Sequence, residues 1–158
     1  MKKIVVSILS MLLGMTAGAG AVFKVTEDKM NRIKRTSDKY QDLFFMMNQW
    51  VKIKQSGKSL ASYLVNCGYK SIAVYGLGYA GETLLNELDD SEVAVKYVID
   101  QKAESIDLDI KVISPKEVLE KVDAIIVTPI TFFGEIEEEL SAKIDCPVLS
   151  LMNILYEI

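Results

Sequence analysis

The spacing of hydrophobic positions changes along this chain, and each change marks a different kind of element. Ile4 to Phe23 are 20 consecutive uncharged, mostly apolar positions. At about 1.5 Å rise per residue they match a hydrocarbon core of about 30 Å, which predicts a transmembrane helix. From Thr26 to about Gln55 there is neither Gly nor Pro. Met30, Ile33, Tyr40, Phe44, Met47 and Val51 recur there at helical spacing, with Ser37 the weak position. Thr26-Glu27-Asp28 supplies an N-cap followed by acids, so this stretch reads as a long helical stalk. Leu43-Phe-Phe-Met-Met47 is apolar on nearly all sides, so that end is expected to be buried, against its own domain or against a partner.

Past Gly57 the pattern shortens to strand-length apolar runs separated by amphipathic segments. Ser59 caps a predicted helix that runs to about Cys67 and stops at Gly68. Ser71-Ile-Ala-Val-Tyr75 is a buried strand, followed by a helix from Ala80 to about Leu88. Val93–Ile99 is a second strand, and a weak one is predicted near Ile110–Ile113. Ser114-Pro115-Lys116-Glu117 has the form of a capping box with Pro at the first helical position, predicting a helix to about Lys121. Asp123-Ala-Ile-Ile-Val-Thr128 is a third buried strand, Thr131–Ile144 an acidic amphipathic helix, Pro147–Leu151 a last strand and Met152–Tyr156 a terminal helical turn. The fold class expected is α/β: a small doubly wound parallel sheet, preceded by a transmembrane helix and a helical stalk. The divisions are 1–24 for the anchor, 25–56 for the stalk and 57–158 for the domain.

The joint between the first strand and its helix carries the chemistry. Gly76-Leu77-Gly78-Tyr79-Ala80-Gly81 is a Gly-x-Gly-x-x-Gly turn, and Asp100 stands 19 residues after the last glycine, at the end of the next strand. Dinucleotide-binding Rossmann units use this spacing: the glycines let backbone approach a pyrophosphate, the helix N-terminus faces it, and the acid accepts from ribose hydroxyls. Ligands of such sheets bind beyond the carboxyl ends of the strands where strand order reverses. That rule groups Gly76–Gly81, Asp100 and Thr128-Pro129 around one crevice. As a ribose acceptor, Asp100 would make few bonds without ligand; as a strand-end residue it would cap the turn at Gln101–Ser105. With no Arg nearby, Asp100 argues against a 2′-phosphate, so the cofactor expected is NAD or a nucleotide-sugar such as a UDP-sugar. The competing reading is a glycine turn that merely packs helix on strand.

Charge divides the chain. Lys24–Gln55 holds eight cations and four acids; from Lys70 onward there are seven cations and 18 acids. A basic juxtamembrane segment suits an anionic cytoplasmic leaflet, and the positive-inside rule orients the domain to the cytoplasm as a single-pass protein of the inner membrane. Ala19-Gly20-Ala21 also fits a signal-peptidase site, so secretion after cleavage is the alternative. Gly14 and Gly18, continued by Ala17 and Ala21, allow two anchors to pack, and the stalk allows a short coiled coil, so a homodimer through anchor and stalk is a candidate assembly. With an acidic domain, and both arginines (Arg32 and Arg35) in the stalk, nucleic acid is not expected as a partner.

Catalysis is weighed by what is missing. There is no His, hence no triad, imidazole base or His metal site. Tyr-x-x-x-Lys is absent, since Tyr63, Tyr75 and Tyr79 are followed four residues on by Cys67, Tyr79 and Thr83. Cys67 and Cys146 have no paired spacing, and the run Glu135, Glu137, Glu138, Glu139 reads as a solvated helix face. No catalytic residue and no metal ligand is assigned. A single domain of this length also leaves no room for the second domain that Rossmann dehydrogenases carry.

From about Gly57 to the end, the chain resembles the small Rossmann-like domains of bacterial capsule and cell-surface polysaccharide biosynthesis proteins. The matching pieces are Ile-Ala-Val-Tyr-Gly-Leu-Gly at 72–78, Tyr-Val-Ile-Asp at 97–100, Val-Ile-Ser-Pro at 112–115 and Asp-Ala-Ile-Ile-Val-Thr at 123–128. A similar domain forms the C-terminal part of certain sugar C-methyltransferases and the N-terminal part of sugar acetyltransferases. The resemblance implies a nucleotide or nucleotide-sugar ligand and a role beside glycan assembly, with polysaccharide-synthesis proteins as partners. The anchored stalk departs from the soluble members. Three functions stay open: a membrane-tethered binding module, an NAD-dependent sugar-nucleotide oxidoreductase or epimerase completed by a partner, and a ligand-free interaction domain.

Overall fold

The computed structural model describes residues 2–158, with side-chain surroundings given for Lys24 and from Thr26 onward. Among the described residues no helix is long and apolar enough to cross a membrane. The apolar stretch 4–23, on which the anchor expectation rests, lies outside the residues described in full. The chain divides into two compact units, Met1–Tyr40 and Gln41–Ile158. The first unit is helical throughout its described length, part of α1 (Lys2–Gln55), and Met30, Ile33 and Tyr40 are exposed on it.

The second unit contains the end of α1, then α2 (Leu60–Asn66), β1 (Ser71–Tyr75), α3 (Tyr79–Leu88), β2 (Ala94–Ile99), β3 (Val112–Ile113), β4 (Ala124–Val127), α4 (Phe133–Ser141), β5 (Val148–Ser150) and α5 (Leu151–Glu157). The strands form one five-stranded sheet in the order β3-β2-β1-β4-β5, every pair parallel. The parallel α/β sheet expected from the sequence is therefore present. Its strand order reverses at β1, so the crossovers leave on both sides of that strand. A parallel sheet is buried on both faces, and the strands alternate accordingly. Ile72, Val74, Val98, Ala124 and Ile126 face a layer containing Leu64, Leu84, Leu88, Leu151 and Leu155, while Ala73, Tyr75, Tyr97, Ile99, Ile125 and Val127 face Val122, Ile136 and Leu140.

The last turns of α1 belong to the first of these layers. Met46, Trp50 and Ile53 are buried in it, and Leu43 and Met47 pack at its edge. The helix thus buries itself against its own domain, but of the stripe its periodicity singled out only Met47 takes part there: Phe44 and Val51 remain 66% and 52% exposed. Glu87 of α3 fastens this end, accepting from Trp50 Nε1, from Leu60 N at 3.1 Å and from Lys54 Nζ at 3.2 Å.

Most local signals act as read. Ser59 accepts from Ser62 N as the N-cap of α2, and Gly68 follows that helix at φ +86°. The predicted helix after Pro115 does not form. The capping bonds are present, Ser114 N to Glu117 Oε1 at 2.7 Å and Lys116 N to Ser114 Oγ at 3.4 Å, yet they close a turn instead. Tertiary demands override the local signal: Tyr97 OH donates to Glu120 O at 2.7 Å, and Val122 must enter the core beside β4. Asp123 in turn accepts from Lys70 N and Ser71 N, which seats the start of β1.

Candidate functional site

The glycine turn closes at the carboxyl end of β1, where the sheet order reverses. Its three glycines have different reasons to be glycine. Gly76 is buried at φ +91°, and a Cβ there would sit 2.7 Å from Pro129 Cγ and 2.9 Å from Thr128 Oγ1. A Cβ on Gly81 would lie 2.1 Å from the Gly76 carbonyl oxygen. Packing alone accounts for both. Gly78 is exposed, has φ −98°, and a Cβ built on it meets nothing within 4 Å. Nothing inside the domain requires a glycine at that place.

Gly78 is also the N-cap of α3, and no side chain caps that helix. The first-turn amides of Tyr79, Ala80 and Gly81 are those an α-helix leaves without intrahelical partners, and the helix dipole favours negative charge beside them. Tyr79 stands 73% exposed at the same end, Ala80 is buried and Leu77 half-buried. An exposed, uncapped glycine N-terminus is a place a phosphate fits, and in this respect the residues present suit a dinucleotide or nucleotide-sugar.

Thr128 and Asp100 are brought to the loop, as the spacing implied, but both are engaged with it. Thr128 is buried, and its hydroxyl donates to the carbonyls of Gly76 at 2.8 Å and Tyr75 at 3.2 Å. Its proton is committed to holding the loop. Asp100 was expected to make few bonds if it serves a ribose. Instead Leu77 N donates to its Oδ2 and Lys102 N to its Oδ1, each at 2.8 Å. The carboxylate therefore caps its own turn and ties that turn to the glycine loop. Each oxygen keeps a second lone pair for another donor.

Beyond the strand ends a cavity of about 510 Å³ is lined by Gly76, Asp100, Lys102, Pro129, Phe132 and Glu139, among others. A neighbouring one of about 670 Å³ shares Tyr75, Gln101, Lys102 and Glu139 with it. Phe132 is 51% exposed and offers an aromatic face at the rim. The Tyr75 phenol lies between the two cavities, and burial, aided by the Glu139 carboxylate, pushes its pKa up, so it stays protonated. Glu139 pairs with Lys143 at 2.5 Å.

Several of these residues escape the sequence reading. The acidic run of α4 is a solvated face, with Glu135, Glu137, Glu138 and Glu139 all exposed, and Glu135 and Glu139, one turn apart, also line the crevice. Phe132 and Lys102 each follow a strand-end residue already singled out, Thr128 and Asp100, and that adjacency was the only local signal. Cys146 is half-buried, and its thiol is pushed up by that burial, away from thiolate reactivity. Among the described residues no group of three or more His, Cys, Asp or Glu side chains is disposed to hold a metal ion.

A family model described as C2185-like, N-terminal matches residues 68–147, a span that takes in β1 to β4, the glycine loop, Asp100 and Thr128. No curated protein and no solved structure matches the chain.

Proposed function

For this chain, which belongs to the C2185-like, N-terminal family, we propose a function as a membrane-tethered module that binds a nucleotide or nucleotide-sugar beside cell-surface polysaccharide synthesis, without a reaction of its own. The observation that carries the proposal is Gly78. It is the one glycine of the motif that neither backbone angle nor packing demands, and it stands at the uncapped start of α3. A glycine there admits a phosphate against bare backbone, which is the use this motif has in dinucleotide sites. The flanking cavity, walled by Asp100, Gly76 and Phe132, supports a nucleoside beside that phosphate. The resemblance noted in the sequence supports the nucleotide-sugar and the setting in polysaccharide synthesis. Absence of His and of a Tyr-x-x-x-Lys pair supports binding over chemistry.

The anchor and its orientation, with the domain on the cytoplasmic side of the inner membrane, are part of the same proposal. So is pairing of two copies through anchor and stalk.

The test is a melting-temperature screen of the full-length chain with NAD, UDP-sugars and CDP-sugars. A ligand present at about 100 times its dissociation constant raises stability by about 2.7 kcal/mol. No stabilisation by any of them would leave a ligand-free interaction domain, and turnover of the ligand would make the chain part of an enzyme. Topology is tested separately: the chain should stay in the membrane fraction through an alkaline wash. A mature chain starting at Val22 outside the cytoplasm would reverse the localisation.

A further inference from the structure

The turns that close β2 and β3 are built alike. Each strand is followed by a residue whose side chain accepts the backbone N–H two positions on: Asp100 Oδ1 from Lys102 N at 2.8 Å, and Ser114 Oγ from Lys116 N at 3.4 Å. The strands are paired with Ile99 opposite Ile113, and Asp100 N donates to Ile113 O at 3.0 Å, so the two caps are neighbours. The result is that Lys102 and Lys116 occupy equivalent places on adjacent turns. Both line the cavity of about 670 Å³.

Among the described residues neither lysine is in an ion pair. Of the two acids on the wall, Glu139 is engaged by Lys143, whose Nζ also donates to Pro115 O at 2.8 Å, and only Glu104 remains. From Lys70 onward the chain has 18 acids against seven cations. Long lysine side chains in so acidic a domain have carboxylates to pair with, and two of them converging unpaired on one hollow leave an excess of positive charge there. Ser114 adds a neutral donor: its oxygen accepts from Lys116 N, which leaves its O–H proton free to point into the cavity.

We propose that this cavity is an anion-binding subsite, taking a phosphate or carboxylate between Lys102 and Lys116. Because it shares Tyr75, Gln101, Lys102 and Glu139 with the crevice at the glycine loop, a single ligand reaches both. The occupant is then the acidic group of a sugar joined to a nucleoside diphosphate. This last step rests on the proposed nucleotide binding; the anion subsite does not.

The experiment is calorimetric titration of the full-length chain in detergent micelles with inorganic phosphate, UDP-glucose and UDP-glucuronate. Phosphate should bind saturably, and Lys102→Met and Lys116→Met should each weaken it at least fivefold, with Lys116→Arg restoring it. UDP-glucuronate should bind at least fivefold more tightly than UDP-glucose, and the preference should vanish in the double methionine variant. Gly78→Val should weaken both UDP-sugars, and Lys102→Met and Lys116→Met should still weaken phosphate in that background. Lysine-dependent phosphate binding without any UDP-sugar binding would keep the subsite and remove the glycine-loop reading. Absence of phosphate binding in the wild-type chain, or equal phosphate affinity in wild type and double variant, overturns the proposal.

Discussion

Gly78→Val puts a branched side chain where the structure has open space, and so separates the needs of the fold from those of a ligand. At φ −98° and ψ −167° the backbone is extended, a region that β-branched residues favour, and no atom lies within 4 Å of the new Cβ. Two small terms oppose each other. Valine is a poorer N-cap than glycine by about 0.5–1 kcal/mol, whereas losing a glycine restricts the unfolded chain by about 0.4–1 kcal/mol in the other direction. The net change should stay within about 1 kcal/mol, or about 4 °C in melting temperature for a domain of this size. Gly81→Ala is the yardstick within the same loop. Its methyl would lie 2.1 Å from a backbone oxygen, which cannot swing aside, so about 3 kcal/mol or more is expected. The assay is thermal unfolding of both variants with and without NAD, UDP-sugars or CDP-sugars, the ligands proposed above. Gly78→Val should melt near the wild-type temperature and lose the ligand-induced shift; Gly81→Ala should melt at least about 10 °C lower. A Gly78→Val chain that keeps the full ligand shift would refute the phosphate-cradle argument, and one that melts as low as Gly81→Ala would refute the claim that the fold leaves this position free.

Three further outcomes follow from particular contacts. Asp100→Ala removes the acceptor for Leu77 N and Lys102 N, and should cost about 2 kcal/mol in the ligand-free protein; an unchanged melting temperature would mean that neither bond matters. Glu87→Ala leaves Trp50 Nε1–H and Leu60 N–H without their acceptor beneath the end of α1, and a loss of about 3 kcal/mol is expected in denaturant titration, with faster amide exchange at Leu60. The Tyr97 phenol is pushed up from 10.0 to about 12, chiefly by burial, so between those values the unfolded chain releases a proton that the folded chain keeps. Stability should therefore be complete below pH 10 and fall as pH rises towards 12, and Tyr97→Phe should flatten that part of the stability curve.

Local signals carried much of this molecule in the order of residues alone. The continuous apolar runs of β1, β2 and β4 can be satisfied only by strands buried on both faces, and the Ser59 cap and the stop at Gly68 use bonds a few residues long. The glycine turn and Asp100 were legible for the same reason, since their spacing along the chain encodes the strand–turn–strand geometry that brings them together. What tertiary structure decided lies across distances that no local period records. The Ser114 capping box forms its hydrogen bonds but opens no helix, because Tyr97 and the core claim the residues that follow it. The stalk's end is apolar on nearly all sides, and only the sheet layer beneath it chose Met46, Trp50 and Ile53 over Phe44 and Val51. Asp100 was found by spacing, but its commitment to Leu77 and Lys102 depends on how closely two loops approach. Lys102 and Lys116 are 14 residues apart in a sequence that gives no hint of pairing them. The register of β2 against β3 makes them neighbours, because parallel pairing sets equivalent strand ends side by side whatever chain length separates them.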